Sequence, residues 1–309
     1  MNKKLIIAAL TLSLLSPLTA HAALKNTSEQ LPAVAILDTA IDTTLPTLQG
    51  KIIQEVCYIE WTTCPNGKSF MEGPGAASMP SKLIQLNGFD HGTQMASAFV
   101  ATNPNANIVF IKIIGNTSVG TRQTAGQASV YNALNWVKQN ASKYNIQAVT
   151  MSQGHHSLGA AGTDYCPKTP IVEQYIKDLS AMNIPTFFPS GNGRDFLRID
   201  WPGCIDSSVS VAHVDRQGYI ATDANNDVSK LDFFALGYLT VPSAGNIMKN
   251  IAGSSAATQV AAANYLDVKS SKPMLSSQAV IDLMKSTSKS TTGRQGTFVK
   301  LIDVIGAKK

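Results

Sequence analysis

The sequence predicts an α/β domain built on a mostly parallel sheet. Three observations predict it. The run Ala33-Val34-Ala35-Ile36-Leu37 is apolar at every position, as in a strand buried on both faces. The pattern recurs at residues 108–114, 148–151, 185–188 and 209–214. Stretches of helical spacing fall between these runs, so strand and helix alternate.

The elements follow in chain order. Met1, Asn2, Lys3 and Lys4 precede an apolar run at residues 5–15, and Ala20-His21-Ala22 follows. A basic start, an apolar stretch and a small-residue end make a secretory signal peptide over residues 1–22. The apolar run falls short of the roughly 20 residues that span a bilayer. No other stretch approaches that length, so no membrane anchor is expected. Cleavage after Ala22 leaves 287 of the 309 residues and removes two lysines, taking the net charge from +5 to +3. Residues 23–30 form a short polar lead-in, and residues 31–309 form one domain.

The first strand ends at Asp38. Residues 57–87 contain Gly67, Gly73, Pro74, Gly75 and Pro80 with little periodicity, and read as a long, partly ordered loop with a hairpin. His91 opens a helix-compatible stretch through Val100. Val130, Leu134 and Val137 recur at i, i+4 and i+7 before Asn140, and Val172, Ile176 and Leu179 repeat the spacing after Pro170. Residues 215–254 hold strand-like pieces and turns such as Asn225-Asn226. Ser254-Ser255 lead into an Ala-rich helix. A last helix places Val280, Leu283 and Met284 on one face, before an apolar run at 298–305.

Composition excludes several functions. Charged residues are 15% of the chain, against about 25% in ordinary globular proteins. That excludes a solvated acidic or basic disordered protein. Lys and Arg form no run, so no nucleic-acid partner is expected. Export would put the four cysteines in an oxidising compartment, where they allow two disulfides in three connectivities. Cys57–Cys64 with Cys166–Cys204 is favoured, because the first pair closes a short surface loop. No cysteine pair has metal-site spacing, and no metal or cofactor is expected. The chain has no G-x-S-x-G elbow. Asn66-Gly67-Lys68-Ser69 ends like a phosphate loop, but Thr62 stands where its first glycine belongs. His155-His156 lack a third metal ligand and read as a polar loop near a groove.

Parallel sheets place function at the carboxyl ends of strands, where Asp38, Ser152 and Gly191-Asn192 all fall. A hydroxyl, a base within reach and an acid that holds the base are the parts of nucleophilic hydrolysis. Ser254-Ser255, His91 and Asp38 supply those types. Taken singly, each has a plainer reading: a turn residue, a structural histidine, a helix cap.

Their contexts together resemble the subtilisin-like serine proteases over about residues 34–305. Leu37-Asp38-Thr39-Ala40-Ile41-Asp42 resembles the family's D-T/S-G-I-D motif, and residues 45–51 resemble its H-P-x-L-x-G-K continuation. His91-Gly92-Thr93-Gln94-Met95-Ala96 is similar to H-G-T-x-V-A. Met151-Ser152-Gln153-Gly154 is similar to M-S-L-G. Pro189-Ser190-Gly191-Asn192 resembles A-A-G-N, and Asp200-Trp201-Pro202-Gly203 echoes the turn after it. Gly253-Ser254-Ser255-Ala256-Ala257-Thr258 approaches G-T-S-x-A-x-P.

The resemblance implies a three-layer α/β/α subtilisin-like fold and an exported serine endopeptidase. It implies Ser255 as nucleophile, His91 as general base and acid, and Asp38 as the residue that holds His91. Asn192 would donate to the oxyanion. A protein or peptide substrate would lie extended against Ser152, Gln153 and Gly154.

The serine motif departs from the pattern. Ser255 aligns as nucleophile if the family's proline is deleted; Ser254 aligns without a gap. Ser255 is preferred, because residues 256–261 match the family's run with only the proline removed. Ala40 replaces a glycine beside Asp38. Thr47 stands where many members carry a calcium-binding Asp, so no calcium site is expected. Only the short lead-in takes the place of the family's prodomain, which leaves room for a separate folding helper or inhibitor chain. The altered serine motif also leaves an alternative: a catalytically impaired relative acting as a peptide-binding or chaperone module. Localisation would be secreted or periplasmic.

Overall fold

A computed structural model describes residues 30–116, 124–156, 165–292, 298–302 and 307–308. The expected signal peptide, and the lead-in up to residue 29, lie outside the described residues. Among the described residues the strands are β1 (Ala33–Asp38), β2 (Ile52–Tyr58), β3 (Phe70–Glu72), β4 (Asn107–Lys112), β5 (Ile146–Met151), β6 (Thr186–Pro189), β7 (Val209–Val214), β8 (Phe233–Leu236), β9 (Leu239–Ser243), β10 (Ile247–Ile251), β11 (Lys289–Thr292) and β12 (Phe298–Leu301). Among the described residues the α-helices are α1 (Ser81–Leu86), α2 (Asp90–Thr102), α3 (Gln127–Tyr144), α4 (Pro170–Ala181), α5 (Ser254–Ser271) and α6 (Ser277–Thr287).

Ten strands form one sheet in the order β11-β12-β8-β7-β6-β5-β1-β4-β2-β3. Every neighbouring pair from β2 across to β12 is parallel. Only the edge strands β3 and β11 pair antiparallel. β9 and β10 make a separate antiparallel hairpin.

Burial on both faces follows the strand period of two. Ala33, Ala35 and Leu37 of β1 join a core with Val130, Leu134 and Val137 of α3 and Val172, Ile176 and Leu179 of α4. Val34 and Ile36 join an opposite core with Phe99 of α2, Tyr265 of α5 and Met284 of α6. The expected three layers, α/β/α, are therefore present, with both helical stripes packed as their spacing predicts. In α6 the buried apolar residues are Val280, Ile281 and Met284, while Leu283 is only half-buried.

α5 crosses β5 to β8 and is buried nearly all round. Its alanines suit that position, because small side chains let a helix lie close on a sheet. A helix buried on every side shows little amphipathic contrast, so spacing alone gives it weakly.

The 57–87 segment is more ordered than the sequence suggests. β2 and β3 form the hairpin. Beyond it, the Glu55 carboxylate accepts from the N–H groups of Gly75, Ala77 and Ser78 at 3.2, 3.0 and 2.7 Å. One acid thus pins a turn without regular periodicity. That turn bridges to β1's end through the Ile41 N–H, which donates to the Ala77 carbonyl at 3.2 Å.

Both favoured disulfides form, Cys57–Cys64 and Cys166–Cys204. The second ties the segment that leads into α4 to the loop after β6, across a sequence separation of 38. Closing a loop that long restricts the unfolded chain by about 4 kcal/mol in the chain-entropy account. Replacing Cys166 and Cys204 together by Ser should lower the unfolding free energy by roughly 2–4 kcal/mol. Denaturant unfolding of the oxidised protein and the double variant measures it.

Candidate active site

Asp38 is the last residue of β1, and its side chain is fully buried. Its Oδ1 accepts from the Thr39 N–H at 2.7 Å and from Gln153 Nε2 at 3.0 Å. His91 is the second residue of α2, and its Nδ1 lies 2.8 and 3.0 Å from the two carboxylate oxygens. A carboxylate can only accept, so Nδ1 carries the hydrogen and Nε2 is the basic nitrogen. Gln153 Nε2 also sits 3.0 Å from Nδ1. With hydrogen on both atoms that contact is no bond, and the amide is spent on Asp38.

Local packing explains why α2 begins there. Thr39 Oγ1 donates to the Phe89 carbonyl at 2.7 Å and accepts from the Gly92 N–H at 2.9 Å. A Cβ on Gly92 would meet the Ala40 carbonyl at 2.4 Å. Glycine therefore lets the first turn of α2 touch the end of β1. Ala40 itself is fully buried and takes no positive φ, so it replaces the family's glycine without backbone strain. Asp42 is structural: its Oδ1 accepts from the Thr44 N–H and its Oδ2 from the Gly245 N–H.

The two serines differ sharply. Ser254 is 1% exposed. Its hydroxyl donates to Asn192 Oδ1 at 2.9 Å and accepts from the Gly191 N–H at 3.2 Å. Its own N–H also donates to Asn192 Oδ1, at 2.9 Å. With Oδ1 taken by two donors, the Asn192 amide nitrogen is the end left for another partner. Gly253 allows this contact, with φ of +124° and room for a Cβ only 3.0 Å from Asn192 Nδ2. Ser255 is half-buried, and its hydroxyl donates only a long 3.3 Å bond to the Ser152 carbonyl. Its N–H lies at the start of α5, where backbone donors are unspent and the helix dipole is positive.

Asp38 and His91 are thus brought into contact, and so are Asn192 and the Ser254-Ser255 pair. Among the described residues no hydrogen bond joins His91 to either serine. Such bonds are often long before substrate binds.

Ser152 and Gln153 are nearly buried, so their side chains face inward and Gly154 is the exposed member of the three. Ser152 Oγ donates to the Ser255 carbonyl at 3.0 Å and accepts from Gln259 Nε2 at 3.0 Å. Gln259 Oε1 in turn accepts from Thr150 Oγ1 at 3.2 Å. This buried chain ties α5 to β5, and sequence reasoning missed it. The available signal was a glutamine on an alanine-rich helix, four residues after Ser255 and hence on the same face. His155 and His156 both reach the Asp200-Trp201 turn. His155 pairs with Trp201 through the backbone, and His156 Nδ1 lies 3.0 Å from Asp200 Oδ1.

Comparison with known proteins gives the family. The model of the Subtilase family matches residues 30–300. Among solved structures, the prenylagaramide maturation protease PagA is 16% identical, with 91% of this chain and 93% of that chain covered and a TM-score of 0.66. A cold adapted subtilisin-like serine proteinase is 18% identical, with 87% of each chain covered and a TM-score of 0.63. Fervidolysin from Fervidobacterium pennivorans, a keratinolytic enzyme related to subtilisin, is 17% identical, with 90% of this chain and 42% of that chain covered and a TM-score of 0.68. At such identities the solved structures speak for the fold alone, whereas the family model spans nearly the whole domain. The chain therefore belongs to the subtilase family, the subtilisin-like serine endopeptidases.

Proposed function

We propose that the chain is exported and hydrolyses peptide bonds with Asp38, His91 and Ser255 as its catalytic triad and Asn192 in its oxyanion hole. The observation that carries this reading is the division of labour between the serines. Ser254 is buried and committed to Asn192 through both its hydroxyl and its N–H. Ser255 keeps a half-exposed hydroxyl with one long bond.

The reaction follows from those atoms. His91 Nε2 takes the proton of Ser255 as its oxygen attacks the scissile carbonyl. Asp38 holds the imidazole in the tautomer that leaves Nε2 basic, and stabilises the imidazolium that forms. The carbonyl oxygen gains negative charge and accepts from Asn192 Nδ2 and the Ser255 N–H. The imidazolium then protonates the leaving amine. Water repeats the cycle on the acyl-enzyme and releases Ser255. The substrate runs extended beside residues 152–154, a geometry open to unfolded segments and loops and closed to packed ones.

Export is supported by the N-terminal pattern of residues 1–22 and by two disulfides, which persist in oxidising compartments. Among the described residues no helix is long and apolar enough to cross a membrane. The destination is the periplasm or the medium.

Fluorophosphonate labelling of single variants tests the nucleophile. Ser255→Ala should lose labelling and at least about 10⁴-fold in kcat. Ser254→Ala should still label, more slowly, because Asn192 loses its anchor. Loss of labelling in Ser254→Ala alone would overturn the assignment. Asn192→Ala should lower kcat by roughly 10²–10³-fold with a smaller change in KM, the mark of a donor used mainly in the transition state. Steady-state kinetics on a quenched peptide separates the two constants.

A further inference from the structure

Asp200 lies beside the proposed groove and takes no part in the chemistry above. Its N–H donates to the Ser190 carbonyl at 2.7 Å, two residues before Asn192. The next residue, Trp201, exchanges two backbone hydrogen bonds of 3.1 Å with His155, just past Gly154. Asp200 therefore sits between the groove's two walls: the 152–155 stretch and the Gly191-Asn192 turn. Each wall is glycine where it approaches the Asp200-Trp201 turn. A Cβ on Gly154 would meet the Trp201 carbonyl at 2.3 Å, and one on Gly191 would meet Asp200 Oδ2 at 2.3 Å. The carboxylate thus lies directly against the turn that carries the Asn192 amide.

Its partners leave its charge poorly answered. Oδ1 accepts from Asn225 Nδ2 and lies against His156 Nδ1, each at 3.0 Å. Among the described residues nothing donates to Oδ2. The side chain is only 19% exposed. The neighbouring Asp195 is answered by Arg198 at 2.6 Å, with His156 Nε2 3.9 Å away on its other side. Among the described residues Asp200 is answered by the imidazole of His156 and, less strongly, by that of His155, with Asp195 opposing them. Burial accordingly lifts the Asp200 carboxyl above its usual range, with His156 pulling the other way. A carboxylate held so is costly to ionise until a cation joins it.

A substrate aligned for attack supplies that cation. Its scissile carbonyl points at Asn192, and its backbone follows residues 152–154. The side chain on the amino side of the scissile bond then enters between the glycine walls, toward Asp200. Only a long side chain reaches the carboxylate. Resting on the active-site reading above, we propose that Asp200 makes this enzyme select Lys or Arg on the amino side of the bond it cleaves.

Peptides identical except at that residue test it on the purified full chain after export. With Arg or Lys there, kcat/KM should exceed that with Gln or Leu by at least about 10-fold, the scale of one well-placed contact. Asp200→Asn should bring that ratio close to one. Because a ratio is read within one protein, partial loss of folded enzyme does not disturb it. A second measurement needs no variant: a peptide aldehyde ending in arginine should inhibit at least about 10-fold more tightly than its citrulline analogue. Arginine against lysine arms of both series report which cation fits better. Equal rates, equal inhibition, or preference for an apolar residue in an enzyme that labels with fluorophosphonate overturns this inference alone. Absence of both labelling and cleavage overturns the active-site reading together with it.

Discussion

A buried carboxylate governs the arrangement of this protein's active end. Asp38 is fully shielded from solvent at the tip of the central strand β1. An ionised group in that position must be met by donors, or it destabilises the fold. Donors come from three places: the Thr39 N–H just past β1, Gln153 Nε2 just past β5, and His91 Nδ1–H from α2. Satisfying one charge therefore fixes the relative position of two neighbouring strands and a helix. The same bonds set the histidine tautomer, so the requirement of the fold and that of the chemistry coincide.

A second polar assembly fixes the other half of the site. Thr150, Gln259 and Ser152 form a buried chain that ends on the Ser255 carbonyl. Asn192 accepts two bonds from Ser254 at the first residue of α5. α5 can present backbone N–H groups and a hydroxyl only because its first turn is clamped from both sides. Buried polar chains of this kind hold position well when every member is satisfied, and fail together when one is removed.

Much of this was legible in the sequence. Ala33 to Leu37 announced a strand apolar on both faces, and it fills both cores. The Val130 and Val172 stripes gave α3 and α4, because each presents one face to the sheet. Cys57–Cys64 was favoured for the short loop it closes, with Cys166 then paired to Cys204, and both bonds form. What the sequence hid had no period to reveal it. The turn after β3 is ordered by Glu55, an acid far from it in the chain. Gln153 read as a groove residue, whereas its side chain turns inward to Asp38. The choice between Ser254 and Ser255 was an alignment question in sequence. In three dimensions it becomes a question of which hydroxyl is already committed. Asp200 sat unremarked in a turn motif, because its significance lies in Gly191 and Gly154, each packed against the Asp200-Trp201 turn.

The central claim is that the buried Asp38 carboxylate organises His91 for attack by Ser255. The rate of fluorophosphonate reaction with Asp38→Asn, compared with the unaltered enzyme and mapped to its residue by peptide fragmentation, tests it most directly. An amide at this position places a donor against Nδ1 and inverts the tautomer. The account predicts an adduct still on Ser255, formed roughly 10³–10⁴-fold more slowly in a protein that remains folded. An unchanged rate, or an adduct on Ser254, would contradict it.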